Sequence, residues 1–196
     1  MVANIWGRVS RMRPEVWNFF STDPGSTAGA GIPNVILFAV GFHPDHHTKT
    51  TADVYLRAAL DQARKSLSEG GIPIGSVLVH DGRIIGQGHN CRVQTGSAID
   101  HGEMNCLRNA GRLPARIYRA STIYSTLSPC PMCSGAIVLY KIPRVVVGEN
   151  KTFLGAEDYM RSQGIQVEVL QDEECIQMMT DFIQANPSLW NEDIGV

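Results

Sequence analysis

The sequence predicts an α/β fold, a three-layer α/β/α sandwich with a central mixed five-stranded sheet. Two observations support this prediction. From residue 51 onward, strand and helix patterns alternate along the chain, which favours a mainly parallel sheet with right-handed crossovers and helices on both faces. The first two strands are separated only by the turn Asp81-Gly82-Arg83, so they form a hairpin and add an antiparallel member to the sheet.

The elements of the first half follow from periodicity. Strands are predicted at 75–80 and 84–90, on either side of the turn, and a helix from about His101 to Ala110, where Gly111 ends it. An amphipathic helix precedes the hairpin, because apolar residues recur at intervals of three and four until the glycine pair 70–71. These residues are Leu56, Ala59, Leu60, Ala63 and Leu67.

The second half continues the alternation. Pro131 suits the first turn of a helix, Gly164 ends another helix, and Pro187 follows the last one. Between these signals, short apolar runs rich in β-branched residues indicate buried strands. Strands are predicted at 121–127, 144–148 and 165–170, and helices at 131–140, 156–164 and 172–185.

Residues 1–50 are predicted to form a poorly ordered N-terminal extension of the domain formed by residues 51–196. The segment 21–34 is rich in Gly, Ser, Thr and Pro, and no helix or strand period persists in the extension. The histidine cluster at 43–47 is better explained as a solvated turn than as a metal site, because no cysteine or carboxylate pair lies nearby. A targeting segment, a regulatory arm and a misassigned start codon all remain open for the extension.

The composition is that of a globular protein, with 43% hydrophobic and 18% charged residues. A formal net charge of −2 gives no support to a broad nucleic-acid-binding face, and no apolar stretch approaches the roughly 18 residues of a membrane span. Five cysteines, an odd number, favour a reducing compartment, the cytoplasm or also the nucleus. Mitochondrial targeting is less favoured, because Glu15 and a missing amphipathic pattern oppose the signal from Arg8, Arg11 and Arg13.

Two motifs predict a metal site. “HGE” (101–103) opens one helix and “PCPMC” (129–133) opens another. His101, Cys130 and Cys133 offer the nitrogen and thiolate donors that zinc prefers. The free N–H groups and the dipole at a helix start favour thiolate over thiol. Because helix starts follow the carboxyl ends of strands, both motifs are expected at the same edge of the sheet.

Glu103 indicates that this zinc site is catalytic. A structural zinc has four protein ligands, whereas a catalytic zinc keeps one position for water, and only three ligands have motif spacing here. Glu103 lies two residues after His101, where it can approach the metal without ligating it and act as general acid and base. Zinc lowers the pKa of a bound water to roughly 7. The arrangement is therefore that of a hydrolytic site.

Two other interpretations of the cysteines remain open. A C-x-x-C pair can be a redox pair, although such a pair usually follows an early strand and lacks an H-x-E motif. A structural zinc could recruit Cys91, Cys106 or His89 as its fourth ligand. For Cys91, Cys106 and also Cys175, an ordinary buried thiol is the favoured interpretation, because free cysteine is commonly interior.

The motifs and their surroundings resemble the fungal-type cytosine deaminases of the zinc-dependent cytidine and deoxycytidylate deaminase superfamily, whose H-x-E…P-C-x-x-C signature is known. The resemblance covers nearly everything after residue 51 and implies a cytidine-deaminase-like fold. It is carried by “GGIPIGSVLV”, “GQGHN”, “GSAIDHGEMNCLRNAGRLP”, “TLSPCPMCSGAIVLYKIPRVVVGEN” and the terminal “LWNEDIG”. The terminal segment is similar to the enzyme that acts on the free base.

The resemblance implies roles for the remaining site residues. Asn90 would hydrogen-bond the carbonyl and ring nitrogen of the base, because an amide both donates and accepts, and Asp193 would accept hydrogen bonds from the pyrimidine edge. Phe153 and Trp190 would stack over the base and close the pocket. The other implied contacts are the apolar walls Ile74 and Leu127 and the backbone around Gly102 and Ser128. Taken singly, Asn90 could instead end a strand in a turn, and Trp190 could merely pack the tail.

The implied activity is hydrolytic deamination of free cytosine to uracil and ammonia, a pyrimidine-salvage reaction, with one zinc per subunit and Glu103 moving the protons. The resemblance also implies a homodimer, for which the apolar faces of 104–110 and 131–140 are candidate contacts. A tRNA adenosine deaminase is the alternative enzyme, but few basic residues lie near the motifs and nucleic acid is not expected as a partner. A non-catalytic zinc fold for protein assembly is the alternative outside enzymes.

Overall fold

A computed structural model of the protein describes residues 51–196. The predictions for residues 1–50, including the poorly ordered extension, the histidine cluster and the targeting signal, lie outside the described residues. The strands are β1 (Gly75–His80), β2 (Arg83–His89), β3 (Ser121–Leu127), β4 (Arg144–Glu149) and β5 (Gln166–Val169). The helices are α1 (Thr51–Ser68), α2 (Arg92–Thr95), α3 (Gly102–Ala110), α4 (Ala115–Tyr118), α5 (Pro131–Tyr140), α6 (Glu157–Ser162), α7 (Glu173–Ala185) and α8 (Pro187–Ile194).

The strands form one mixed sheet in the order β2-β1-β3-β4-β5, which confirms the predicted five-stranded sheet. Four of the strands run in one direction, and β1 is the antiparallel member that the hairpin was expected to supply. β1 runs antiparallel to both β2 and β3, and only the β3–β4 and β4–β5 pairs of this sheet are parallel. The reason is that the chain, after β2, returns over α3 and places β3 next to β1 instead of next to β2. A strand parallel to β2 is then antiparallel to β1.

Side chains alternate between the two faces of the sheet, as the two-residue period of a strand requires. On one face, Val77, Tyr124 and Val146 pack against Ala59 of α1. On the other, Leu78, Ile123 and Val145 pack with side chains of α3 and α5. Helix α7 lies on the same face of the sheet as α1, where Cys175 packs with Leu56 and Leu60 of α1. The predicted three-layer α/β/α sandwich is therefore confirmed.

One edge of this sheet gathers the ends of four strands. The carboxyl ends of β3 and β4 lie side by side, with Leu127 opposite Glu149. The start of β1 reaches the same edge, because Gly75 pairs with His89 at the end of β2 and its N–H donates to Thr126 Oγ1 at 3.1 Å. The loops that leave these strands carry the zinc and base-contact motifs, so they meet at this edge.

The C-terminal tail contains a helix that the sequence analysis did not predict. α8 begins with Pro187 in its first turn and ends at Gly195, whose φ of 77° is a left-handed conformation suited to glycine. Trp190 and Asp193 are its buried residues. Trp190 packs with Ile74, Leu127 and Phe182, so α8 lies over the sheet edge just described. No helix between residues 51 and 196 is both long and apolar enough to cross a membrane.

Candidate active site

The three predicted zinc ligands converge at the starts of two helices. His101 is the N-cap of α3, with φ −66° and ψ 163°, and Cys130 is the N-cap of α5, with φ −65° and ψ 169°. Cys133 lies in the first turn of α5. The extended conformation of each cap turns the chain from its loop into the helix. The ligand atoms of the three side chains all lie within 4.8 Å of one another.

These donors fit a single zinc ion. His101 Nδ1 and Cys130 Sγ are 3.5 Å apart, and two such donors on one tetrahedral zinc lie roughly 3.5 Å apart by the usual bond lengths. One nitrogen and two sulfurs are also the donor types that zinc prefers. Cys91 and Cys106 are not part of the group and are buried thiols. Among the described residues, this cluster is the group of three or more donors that could hold a metal ion.

The pKa values of Cys130 and Cys133 are shifted in opposite directions, which leaves one of the two thiols ionised. A hydrogen bond from Cys133 lowers the pKa of the Cys130 thiol to about 4, and His101 adds to the lowering. The same hydrogen bond with Cys130 raises the pKa of Cys133. Cys130 is therefore a thiolate at neutral pH, while Cys133 keeps its proton until a cation replaces it.

Glu103 faces this cluster from the first turn of α3. Its side chain is buried, with 3% of the residue exposed, and burial raises the pKa of the Glu103 carboxyl. Ser125 Oγ donates to Glu103 Oε1 at 3.0 Å, and the Cys133 thiol also hydrogen-bonds the carboxylate. These contacts fix the carboxylate beside the ligand cluster. A buried carboxyl with a raised pKa holds a proton more readily than an exposed one, as a group that takes up and returns protons must.

The cluster and Glu103 line a small cavity that α8 covers on one side. The volume of the cavity is about 20 Å³, which is room for about one water molecule. His101, Glu103 and Cys130 form its polar floor. The other walls are Ile74, Leu127, Ser128, Phe153, Trp190, Asp193 and Ile194. An organic substrate can enter only if part of this wall moves.

Asn90 and Asp193 meet at the side of the cavity. Asn90 Nδ2 donates to Asp193 Oδ1 at 2.9 Å. The Asn90 backbone is held by its own N–H, which donates to Ile74 O at 2.8 Å, and by Ser66 Oγ, which donates to Asn90 O at 2.7 Å. Asp193 Oδ1 also lies 3.7 Å from Nε2 of His101. Each amide atom of Asn90 keeps a free donor or acceptor position.

The loop that carries Phe153 is fixed by two buried carboxylates. Glu149 Oε2 accepts from the N–H groups of Lys151 at 2.6 Å and Thr152 at 3.0 Å. Glu157 Oε1 accepts from Ser128 Oγ at 2.8 Å, which connects the loop to the cysteine motif. The loop also approaches that motif closely at Gly155, where a Cβ atom would lie 2.1 Å from the oxygen of Pro129. Phe153 is thereby held edge-on to Trp190, with ring centroids 5.8 Å apart.

Nearly all of the residues predicted for the site lie together. Asn90 contacts Asp193 instead of lining the cavity wall, and Gly102 is the first residue of α3 between His101 and Glu103. Their roles toward a substrate stay predictions. The sequence analysis missed Ile194, which an apolar position near the tail motif could have suggested. It also missed Arg92, Glu149 and Glu157, whose contacts join distant segments and leave no local pattern.

Comparison with known proteins identifies related chains. Residues 49–149 match the family model described as the cytidine and deoxycytidylate deaminase zinc-binding region. The chain is 58% identical over 141 residues to cytosine deaminase of Candida albicans, a match that covers 71% of this chain and 94% of that protein.

Enzymes with other substrates share the core. A tRNA-specific adenosine deaminase of Streptococcus pyogenes is 44% identical over 106 residues, which is 53% of this chain and 66% of that protein. A solved structure from a study of A-to-I editing by tRNA:A34 deaminases superposes with a TM-score of 0.53 at 28% identity. That match covers 61% of this chain and 99% of the other.

Proposed function

The chain belongs to the cytidine and deoxycytidylate deaminase family, and we propose from this premise that it hydrolyses free cytosine to uracil and ammonia. One observation carries the proposal: α8 covers the zinc cluster and Glu103, leaving a small cavity with Trp190 and Asp193 in its wall. The cavity has room for about one water molecule as it stands, so α8 must move to admit a substrate. Its apolar walls over a polar floor suit the flat ring of a free base. The similarity to the Candida enzyme, which extends over most of both chains, supports the same substrate.

The reaction needs a water and a group that moves protons. His101, Cys130 and Cys133 would hold zinc, which supplies a bound water that ionises near neutral pH. Glu103 stands on the cavity floor with one oxygen fixed by Ser125. In our proposal it takes one proton from the water and passes it to the ring nitrogen as the water oxygen bonds to C4. It then takes the proton of the new C4 hydroxyl and delivers it to the amino group, which leaves as ammonia when the C4–N bond breaks. Because Glu103 is buried, each transfer occurs without competition from bulk solvent.

Recognition of the base is assigned to the cavity walls and to Asn90, which lies behind Asp193. Asn90 has one amide N–H and one oxygen lone pair left after its protein contacts, so it can donate to a carbonyl and accept from a ring N–H. Asp193 accepts hydrogen bonds from the pyrimidine edge. Phe153 and Trp190 cover the ring faces. Ile74 and Leu127 supply the apolar sides, and Gly102 and Ser128 supply backbone contacts.

A second candidate is supported by the tRNA-specific adenosine deaminases, which match the shared core at 44% identity. Such a substrate needs an open, basic groove that can accept an extruded base and its neighbours. The cavity here is covered by α8. The match to those enzymes also covers a smaller part of this chain than the match to the cytosine deaminase, 53% against 71%. We therefore rank cytosine first and expect no nucleic-acid partner.

The test is ammonia release from cytosine, cytidine and adenosine in parallel, with zinc-loaded protein. We expect turnover of cytosine and none of the other two, because a ribose on the ring would clash with α8 where it covers the site. Turnover of adenosine within a tRNA anticodon stem-loop, with none of cytosine, would contradict the proposal and favour the second candidate. The same assay on residues 51–196 alone checks the proposed domain boundary, which predicts equal cytosine turnover without residues 1–50.

We also propose that the protein is a homodimer. The apolar surface predicted on α3 and α5 contains a groove of about 400 Å³ that includes Met104, Leu107 and Tyr140. Leu139 is 73% exposed and Tyr140 44%, a concentration of apolar surface that marks an interaction site. Light scattering should give twice the chain mass, and Leu139→Asp should shift the protein to a monomer at low concentration. A wild-type monomer would remove the proposal.

The cellular context is a further part of the proposal. All five cysteines lie within the described residues and are free thiols, which suits the reducing cytoplasm. The reaction returns cytosine to the pyrimidine pool as uracil, which is the chemistry of pyrimidine salvage. Fractionation of cells that express the full chain tests the compartment, and a membrane or secreted pool would contradict it.

A further inference from the structure

One oxygen of Asp193 links α8 to the segment that carries Asn90 and Arg92. Asp193 Oδ1 accepts from Asn90 Nδ2 at 2.9 Å and from Arg92 Nη1 at 3.1 Å. The Asp193 side chain is 3% exposed and that of Arg92 is 19% exposed. The ion pair is thus largely removed from water, where charged hydrogen bonds are stronger than at the surface.

Arg92 contacts both base-binding residues in different ways. Its guanidinium binds Asp193, and its backbone N–H donates to Asn90 Oδ1 at 3.1 Å. The second contact fixes the Asn90 amide with its nitrogen toward Asp193. One residue therefore sets the orientation of both polar groups that face the pyrimidine in the proposed function.

Arg92 also controls how α8 is attached. Among residues 51–196, Asp193 is the residue of α8 whose side chain hydrogen-bonds to other elements, through Asn90 and Arg92. Apart from Asp193, apolar packing of Trp190 and its neighbours holds the helix. The opposite wall is different, because the Phe153 loop is fixed by the buried Glu149 and Glu157. The wall that moves to admit a substrate is therefore α8.

We propose that Arg92 is a positioning residue that orients the Asp193 carboxylate toward the substrate and latches α8 over the cavity. The proposal rests on the function proposed above and adds a residue that touches neither substrate nor metal. Arg92 acts through Asp193, so Glu103, Cys130 and Cys133 keep their contacts when the latch is removed. His101 is the zinc ligand that Asp193 approaches, at 3.7 Å, so zinc per chain is measured on each variant.

The test compares Arg92→Gln and Arg92→Lys in the full-length zinc-loaded protein. The backbone contact to Asn90 survives in both variants, so they isolate the contact with Asp193. We expect Arg92→Gln to raise KM for cytosine about 10- to 100-fold, the cost of losing a hydrogen bond to a buried charge. The kcat should change far less, because the lost interaction serves binding and not the chemical step. Arg92→Lys keeps the charge and should recover part of the affinity.

Arg144→Gln is a matched control. Arg144 pairs with Glu168 at 2.6 Å, and like Arg92 it has a buried Nε without a partner. It lies at the start of β4, and it does not line the cavity. Its pair is more exposed than that of Arg92, so Arg144→Gln should lower thermal stability no more than Arg92→Gln does, and it should leave KM unchanged.

Amide hydrogen exchange of α8 in the substrate-free protein is the second measurement. The latch predicts faster exchange at residues 187–194 in Arg92→Gln, with the strands unchanged, and no such change in Arg144→Gln. Unchanged exchange at α8, or an equal acceleration throughout the core, would overturn the proposal. Hydrogen exchange does not depend on turnover, so it tests whether Arg92 holds α8 even if the chain fails to deaminate cytosine. Such a failure would count against the proposed function alone.

Discussion

Replacing Glu103 by glutamine is expected to abolish measurable deamination while the protein keeps its zinc. The change is nearly isosteric, so Ser125 Oγ can still donate to the side-chain oxygen as it does at 3.0 Å in the wild type. The glutamine amide cannot take up the proton that the reaction requires. Since general acid–base catalysis typically contributes about 10²–10⁴-fold, kcat should fall by at least that range. Ammonia release, with zinc per chain measured on the same sample, checks both parts.

Asp100→Asn is the control for this change. Asp100 is another buried carboxylate, one residue before His101, and it binds Arg108 at 2.9 Å without lining the cavity. Its substitution removes a charge from the same helix start and should lower thermal stability. It should leave kcat within roughly a few-fold, because the Asp100 side chain contacts Thr95, Asn105 and Arg108 and not the cavity. Loss of zinc in Glu103→Gln would show that Glu103 is a ligand and that its assigned role is wrong.

Glu103→Gln should not destabilise the fold. The burial that raises the pKa of the Glu103 carboxyl also makes its charged form costly in the folded protein. Glutamine carries no charge, so its burial has no such cost. A catalytic residue that lowers stability is typical of an active site, because the geometry there serves the reaction. We therefore expect a melting temperature equal to or above that of the wild type.

The sequence was sufficient where local chemistry decides the structure. His101 and Cys130 were placed correctly at helix starts, because a motif before an apolar run is a local signal. The boundaries of α3, α5 and β3 follow their apolar periods within a residue. For the same reason, the three-layer fold could be inferred from the alternation of elements alone.

The sequence was insufficient to predict contacts between segments that lie far apart along the chain. The antiparallel pairing of β1 with β3 depends on the return path over α3, which no window of the chain contains. Arg92 lies in a helix of four residues and binds a carboxylate 101 positions later. Glu149 and Glu157 resemble ordinary surface acids in the sequence, and only the folded loop shows that both are buried. Contacts of this kind depend on packing, which a single sequence does not reveal.

Replacing Cys130 by serine is expected to remove the zinc and with it the activity. Serine has nearly the same shape, but its hydroxyl does not ionise near neutral pH, whereas the pKa of the Cys130 thiol is lowered to about 4 by Cys133. Zinc per chain, measured after dialysis against a mild chelator, should fall from about one to nearly zero, in line with a site that needs three protein ligands. Deamination should be lost in proportion.

The same variant separates a catalytic from a structural zinc. Binding to the folded state stabilises the wild type, by about 2.7 kcal/mol when free zinc is a hundredfold above its Kd. The melting temperature of the wild type should therefore rise with added zinc, and that of Cys130→Ser should not. Cys175→Ala is the control, because Cys175 is buried on α7 outside the donor cluster and should keep both zinc and turnover. A Cys130→Ser protein that still binds one zinc would mean that another donor completes the site, as a structural zinc with a fourth protein ligand requires.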